Sequence, residues 1–146
     1  MFEFNNKQKV FIVAEISANH GQDFNIAVAL IKKAKAAGVD AVKFQTYRPD
    51  TLTIDADNKY FRIKHPKWGN QTMYQLYKKA YTPWSWFKKL KKAADDTGIV
   101  FFSTAFDKTS VDLLEELEAP IHKISSFELV DLPLIEYAAK TKKPLI

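Results

Sequence analysis

Phe11-Ile-Val-Ala-Glu-Ile16, running into Ser17-Ala-Asn-His20, is an apolar segment of strand length that ends in a carboxylate and then in small and polar residues. A parallel strand covered on both faces reads as such a near-continuous apolar run. In α/β barrel enzymes the reactive groups gather at the C-terminal ends of these strands. Ala41–Thr46, Ile99–Thr104 and Ile121–Ser126 repeat the pattern, each beginning apolar and finishing polar or charged. Four strands with reactive groups at the same end describe the mouth of an active site.

The segments between them read as helices. Asp23 is placed to cap one whose apolar face is Ile26, Ala27, Leu30, Ile31 and Ala34, and Gly38 ends it. A second runs from Trp84 to Asp96 and closes on Gly98; a third covers Thr109 to Leu117; a fourth begins near Pro133 and reaches Lys140. Pro144-Leu-Ile146 reads as the opening of a fifth strand. Alternation of this kind predicts a parallel sheet. The first strand–helix turn has no Gly-x-Gly-x-x-Gly, which weighs against a dinucleotide fold. A (β/α)8 barrel needs about 250 residues. The expectation is therefore an α/β chain covering about the first four βα units of a barrel, residues 1–146 forming its N-terminal part. One connection departs from the pattern. Tyr47 to Pro83 spans about 35 residues, with a short helix expected over Thr72 to Lys79, and a loop this long on the catalytic face reads as a lid or substrate loop.

Composition narrows the function. There are no cysteines, so disulfides and thiolate metal sites are excluded. No apolar stretch approaches the ~20 residues of a membrane span. Met1-Phe-Glu-Phe-Asn-Asn-Lys7 lacks the apolar core of a signal peptide, so a cytoplasmic protein is expected. The net charge of +5 comes with lysines clustered in helical stretches, which read as solvated faces rather than a nucleic-acid surface.

Alternation along a strand sorts the side chains. Phe11, Val13 and Glu15 share a face, as do Lys43 and Gln45, Phe102 and Thr104, and Ile121, Lys123 and Ser125. The wholly apolar opposite faces must lie under helices, so these groups point into the mouth. Charges there need partners. A Glu15–Lys43 ion pair is one solution, but two lysines beside hydroxyls and a single nearby carboxylate leave spare positive charge, which suits a phosphate. A Schiff-base lysine is the competing use. His20, His65 and His122 show no metal-ligand spacing, Trp84, Trp86 and Phe87 read as packing residues, and Arg48 and Arg62 read as surface.

Five motifs together resemble the sialic acid synthase family: Ala14-Glu-Ile-Ser-Ala-Asn-His20, Val42-Lys-Phe-Gln-Thr46, Trp68-Gly-Asn70, Phe102-Ser-Thr-Ala-Phe106 and Lys123-Ile-Ser-Ser-Phe-Glu128. Tyr47-x-Pro-Asp-Thr-Leu-Thr53, Ala80-Tyr-Thr-Pro-Trp84 and Ser125-Ser-Phe-Glu128 are similar to its pseudaminic acid synthase branch. Gly21 and Ala105 depart from the family, which often has asparagine and proline there.

The resemblance implies a barrel that condenses phosphoenolpyruvate with an N-acetylated amino sugar, releasing phosphate and forming a nonulosonic acid. Pseudaminic acid is the product implied, with N-acetylneuraminate or legionaminate as the alternative. By match, Lys43, Thr104, Lys123 and Ser126 would hold phosphoenolpyruvate, and Glu15, Gln45 and Asn70 would face the sugar. Glu15 is also a candidate for proton handling, and Glu128 for assisting water addition. The complete enzyme would use a divalent metal ion (manganese, magnesium or cobalt) and form a homodimer. The family's metal-binding histidines and its C-terminal antifreeze-like domain come later in the chain, so no metal ligand is expected here and residues 1–146 alone are expected to be inactive and to self-associate through open sheet edges. A non-catalytic phosphate-binding half-barrel is the alternative of another class.

Overall fold

A computed structural model describes residues 10–146, and the Met1–Lys7 segment read above for leader character lies outside them. In chain order the elements are β1 (Val13–Glu15), α1 (Phe24–Ala36), β2 (Ala41–Thr46), α2 (Pro49–Leu52), β3 (Arg62–His65), β4 (Gly69–Thr72), α3 (Met73–Ala80), α4 (Phe87–Thr97), β5 (Val100–Ala105), α5 (Lys108–Glu116), β6 (His122–Ile124) and α6 (Leu132–Ala139). Four strands form one parallel sheet in the order β1-β2-β5-β6, the order in which the chain supplies them. Leu145 adds a parallel bridge to His122, where a fifth strand was expected to open.

The helix signals act as their chemistry demands. The Asp23 carboxylate accepts from the backbone N–H groups of Asn25 and Ile26 and caps α1. Asp107 caps α5 in the same way through Ser110 N–H, and Pro133 sits in the first turn of α6. Gly98 ends α4 at φ +69, a conformation costly for residues with a Cβ. The Trp84–Trp86 segment, expected as the first turn of that helix, is a separate 3-10 turn, with Trp84 Nε1 donating to the Tyr47 carbonyl at 3.1 Å.

Two apolar layers separate on the sheet. Ile16, Val42, Phe44 and Phe101 pack outward against Ala27, Ile31, Phe87 and Leu90 of α1 and α4. Ala41, Phe102 and Ile121 form a smaller cluster on the inner face with Phe11, Val13 and Val100. Strand parity predicted this division. His122 points outward, fully buried, with Nε2 at 2.6 Å from the Glu115 carboxylate, which also pairs with Lys143.

The 47–83 excursion holds structure that periodicity did not reveal. β3 and β4 form an antiparallel hairpin in which Ile63 pairs with Gln71 and Lys64 with Asn70. Most hairpin residues are exposed, so it lacks the apolar alternation by which strands are recognised. The Thr72 hydroxyl then caps α3, and the Gln75 side chain accepts from Thr72 N–H in a capping box. The excursion is tied down at both ends: the Arg48 guanidinium lies 3.9 Å from the Trp84 ring centroid, and His20 Nε2 meets the Thr82 hydroxyl at 3.0 Å.

Candidate active site

Sheet register brings the polar strand ends into a row. Glu15 is level with Lys43, Gln45 with Thr104, and Thr104 with Lys123. The side chains of Lys43, Gln45, Thr104 and Lys123, pointing away from the helices, join Ser125 and Ser126 as the polar lining of a cavity of about 300 Å³, which Glu15 itself does not line. Tyr47, Leu52, Tyr77, Phe106 and Phe127 complete its walls.

Lys43 forms an ion pair with the Glu15 carboxylate, and its Nζ lies 3.4 Å from the Thr104 hydroxyl. Glu15 is half exposed, so this pair sits at the rim in contact with water. Lys123 has no carboxylate within ion-pair distance among the described residues. Burial, and then the Lys43 charge, hold its ammonium below the ordinary lysine range, against opposing effects of Glu15 and Glu128. Glu128 stands in the 3-10 turn Ser126–Val130 and does not line the cavity, though its field reaches Lys123. Its Oε2 is buried without a hydrogen-bond partner. The cavity therefore carries one neutralised and one unneutralised lysine beside three hydroxyls, which is chemistry suited to an anion.

Asn70 is placed differently. It lies exposed on β4, its side-chain oxygen accepting from Arg62 Nη1 at 3.3 Å, and it lines neither this cavity nor the adjoining one. That adjoining cavity, about 600 Å³, lies beneath the excursion and shares Gln45, Tyr47, Tyr77 and Phe127 with the first. Arg62, read from sequence as a surface residue, is exposed and also lines this second cavity, while Asp57 engages its Nε and Nη2 at 2.5 and 2.7 Å.

The wall residues Tyr47, Phe106 and Phe127 stood in the sequence motifs but were given no place in the site, yet a signal existed. Each continues the inward parity two residues beyond a polar strand position: 43, 45, 47; then 104, 106; then 123, 125, 127. Tyr47 is buried, and that burial, reinforced by Tyr77, raises its phenol above the usual range, so it stays a neutral O–H donor. His20 is structural. Its Nδ1 accepts from Gln22 N–H, leaving Nε2–H to donate to Thr82, and burial lowers its pKa. Among the described residues, no three His, Cys, Asp or Glu side chains cluster where they could hold a metal ion.

A sequence-family model matches residues 30–146, and that model describes the NeuB family. The chain belongs to the NeuB family. It is 43% identical over 143 residues to the pseudaminic acid synthase of Campylobacter jejuni, a match covering 98% of this chain and 42% of that relative. It is 44% identical over 135 residues to that of Helicobacter pylori, covering 92% of this chain and 40% of the relative. Among solved structures, the N-acetylneuraminic acid synthetase of Leptospira borgpetersenii superposes with a TM-score of 0.78 at 32% identity, over 93% of this chain and 43% of that one. This NeuB-family chain thus spans about two-fifths of the length of the relatives it matches, with the α/β fold of their barrel over that span.

Proposed function

We propose that the lysine–hydroxyl cavity is the phosphoenolpyruvate half-site of a nonulosonic acid synthase, with pseudaminic acid as the product. The observation that carries this reading is the row Lys43, Thr104, Lys123, with one lysine neutralised by Glu15 and the other free to meet an anion. Family membership and similarity to two pseudaminic acid synthases support the reaction class. In this reading Lys123 and Lys43 act as point charges on the phosphate and carboxylate of phosphoenolpyruvate, and the Thr104 and Ser126 hydroxyls fix their orientation.

The enol carbon attacks the aldehyde carbon of the open-chain N-acetylated sugar, forming the C–C bond. The new alkoxide forms at the rim, beside the Glu15 carboxylate held by Lys43. Positive character at the former enol carbon faces the carboxylate field of Glu128, water adds there, and the proton it gives up passes through the Glu15 carboxylate to the alkoxide. The tetrahedral intermediate then expels phosphate by breaking its C–O bond, forming the ketone while its hydroxyl proton leaves with the phosphate. Gln45, on the wall common to both cavities, orients the sugar. A divalent metal ion and a second subunit belong to this reading of the complete enzyme; the side chains described here supply no cradle for the metal, and no step above is routed through it.

The test is the fate of a heavy-oxygen label placed in the bridging C–O–P position of phosphoenolpyruvate, using the complete enzyme. The expected result is labelled inorganic phosphate; label retained in the sugar acid overturns the mechanism. The depressed Lys123 favours a second reading, a Schiff base with a keto substrate. A borohydride-trapped adduct on Lys123 would establish it in place of the first.

A further inference from the structure

The four-residue helix α2 carries Leu52 into the wall of the lysine cavity, yet a helix this short does not hold its own place. Its N-terminal side is anchored, because Pro49 is buried and the Arg48 guanidinium stacks on Trp84. Asp50 and Thr51 are exposed and reach the helices on either side. Asp50 accepts a hydrogen bond from the Tyr74 hydroxyl of α3 at 2.6 Å. Toward α5 stands its N-cap Asp107, next to the wall residue Phe106. Asp107 Oδ1 accepts from the Ser110 N–H at 2.8 Å and from the Thr109 hydroxyl at 2.6 Å. Burial opposes the charge of this carboxyl. Polar contacts from Thr109, Thr51 and Ser110 outweigh it and hold the group below the usual carboxylate range. Capping engages only Oδ1; Oδ2 is buried without a hydrogen bond, so the charge leans on the nearby Thr51 hydroxyl of α2.

We propose that Tyr74 and Asp107 are positioning residues that clamp α2 between α3 and α5, so that Leu52 shields the anion over Lys123 from water. The proposal rests on the synthase reading above, since the cavity that the clamp closes is the phosphoenolpyruvate half-site. Three other walls support one another: Tyr47 meets Tyr77 and Phe106 edge-on, with ring centroids 5.8 and 5.4 Å away. Leu52 depends on α2 alone. Water exclusion strengthens a lysine–anion contact, and burial is also the first cause of the lowered Lys123 pKa. The charges that act on Lys123 are those of Lys43, Glu15 and Glu128, and neither Asp50 nor Asp107 is among them. A change at the clamp therefore reaches Lys123 through water rather than through a lost charge.

The experiment measures phosphoenolpyruvate binding to the complete enzyme by titration calorimetry across a pH series, with Tyr74→Phe, Asp107→Ser and Asp107→Asn. Tyr74→Phe removes a single hydroxyl. Serine at 107 still caps α5 but is too short to reach Thr51, whereas asparagine both caps and reaches. Tyr74→Phe and Asp107→Ser should each weaken binding about three- to tenfold, the scale of one hydrogen bond. The pH at which their binding declines should move up toward the ordinary lysine range, because returning water favours the ammonium. Asp107→Asn should stay near the native protein in both respects. Unchanged affinity and pH profile in the first two variants overturn the inference and leave the synthase reading standing. Lowered unfolding midpoints with an unmoved pH profile make the two residues purely structural and also overturn it. A native enzyme that binds no phosphoenolpyruvate overturns the synthase reading and this inference together.

Discussion

The two cavities lie side by side and are built by opposite means. Strand ends of a parallel sheet frame the first, where register sets Lys43, Gln45, Thr104 and Lys123 and buried layers of Phe44, Phe101 and Phe102 lock the strands. The second hangs beneath a hairpin and a helix in which only Thr72 is fully buried, held by a few polar tethers. The sheet offers charge fixed by strand register, while the excursion offers mostly apolar surface.

The strongest way to break this contrast is a stability comparison. Phe101→Ala, which empties a site against Phe44 and Phe87, should cost about 3–5 kcal/mol, whereas Ile63→Ala in the hairpin should cost about 1 kcal/mol or less. Equal losses in denaturant unfolding would show that hairpin and sheet form one equally cooperative core.

Next in size is ligand binding. Lys43→Ala and Lys123→Ala should each weaken phosphoenolpyruvate binding by about 1.5–3 kcal/mol in titration calorimetry, the worth of a charge-assisted contact. Because the Lys123 pKa lies below the ordinary lysine value, its contribution is present at low pH and fades as pH rises, starting below the usual lysine range. Arginine stays protonated, so Lys123→Arg should lack that decline relative to the native protein. Parallel pH profiles for the two proteins would remove Lys123 from the anion site.

The smallest effect concerns the tether between the two regions. Thr82→Val leaves the buried His20 Nε2–H without an acceptor and should cost about 1–3 kcal/mol. His20 has a folded pKa below its unfolded value, so the unfolded chain binds the extra proton and stability falls as pH drops through about 6.5. A His20→Gln variant should lose this acid sensitivity; if it keeps the full slope in unfolding measured from pH 7 to 5, His20 is not its source.

Strand identity, helix caps and the inward set Glu15, Lys43, Gln45, Thr104 and Lys123 were legible in the residues alone. Alternation and capping are local rules, and a buried parallel strand leaves little freedom in which side chains face the helices. The hairpin was not legible, because Arg62–His65 and Gly69–Thr72 bury little and so leave no hydrophobic pattern to read. The walls Tyr47, Phe106 and Phe127 stand just past the strand ends, where continued parity could have found them and the assumption of loop stopped the count.

What the sequence by itself determined, then, is the order of βα units, the family motifs and the charge aimed at the mouth, all functions of neighbours in the chain. Only the tertiary structure decided that Lys43 is neutralised by Glu15 while Lys123 is not, that Asn70 serves Arg62 on the hairpin, and that a second, apolar chamber opens beside the first. The ion pair and the chamber depend on distances between segments tens of residues apart, and the Asn70–Arg62 contact on hairpin pairing across eight residues, and such distances rather than composition set ion pairing and burial.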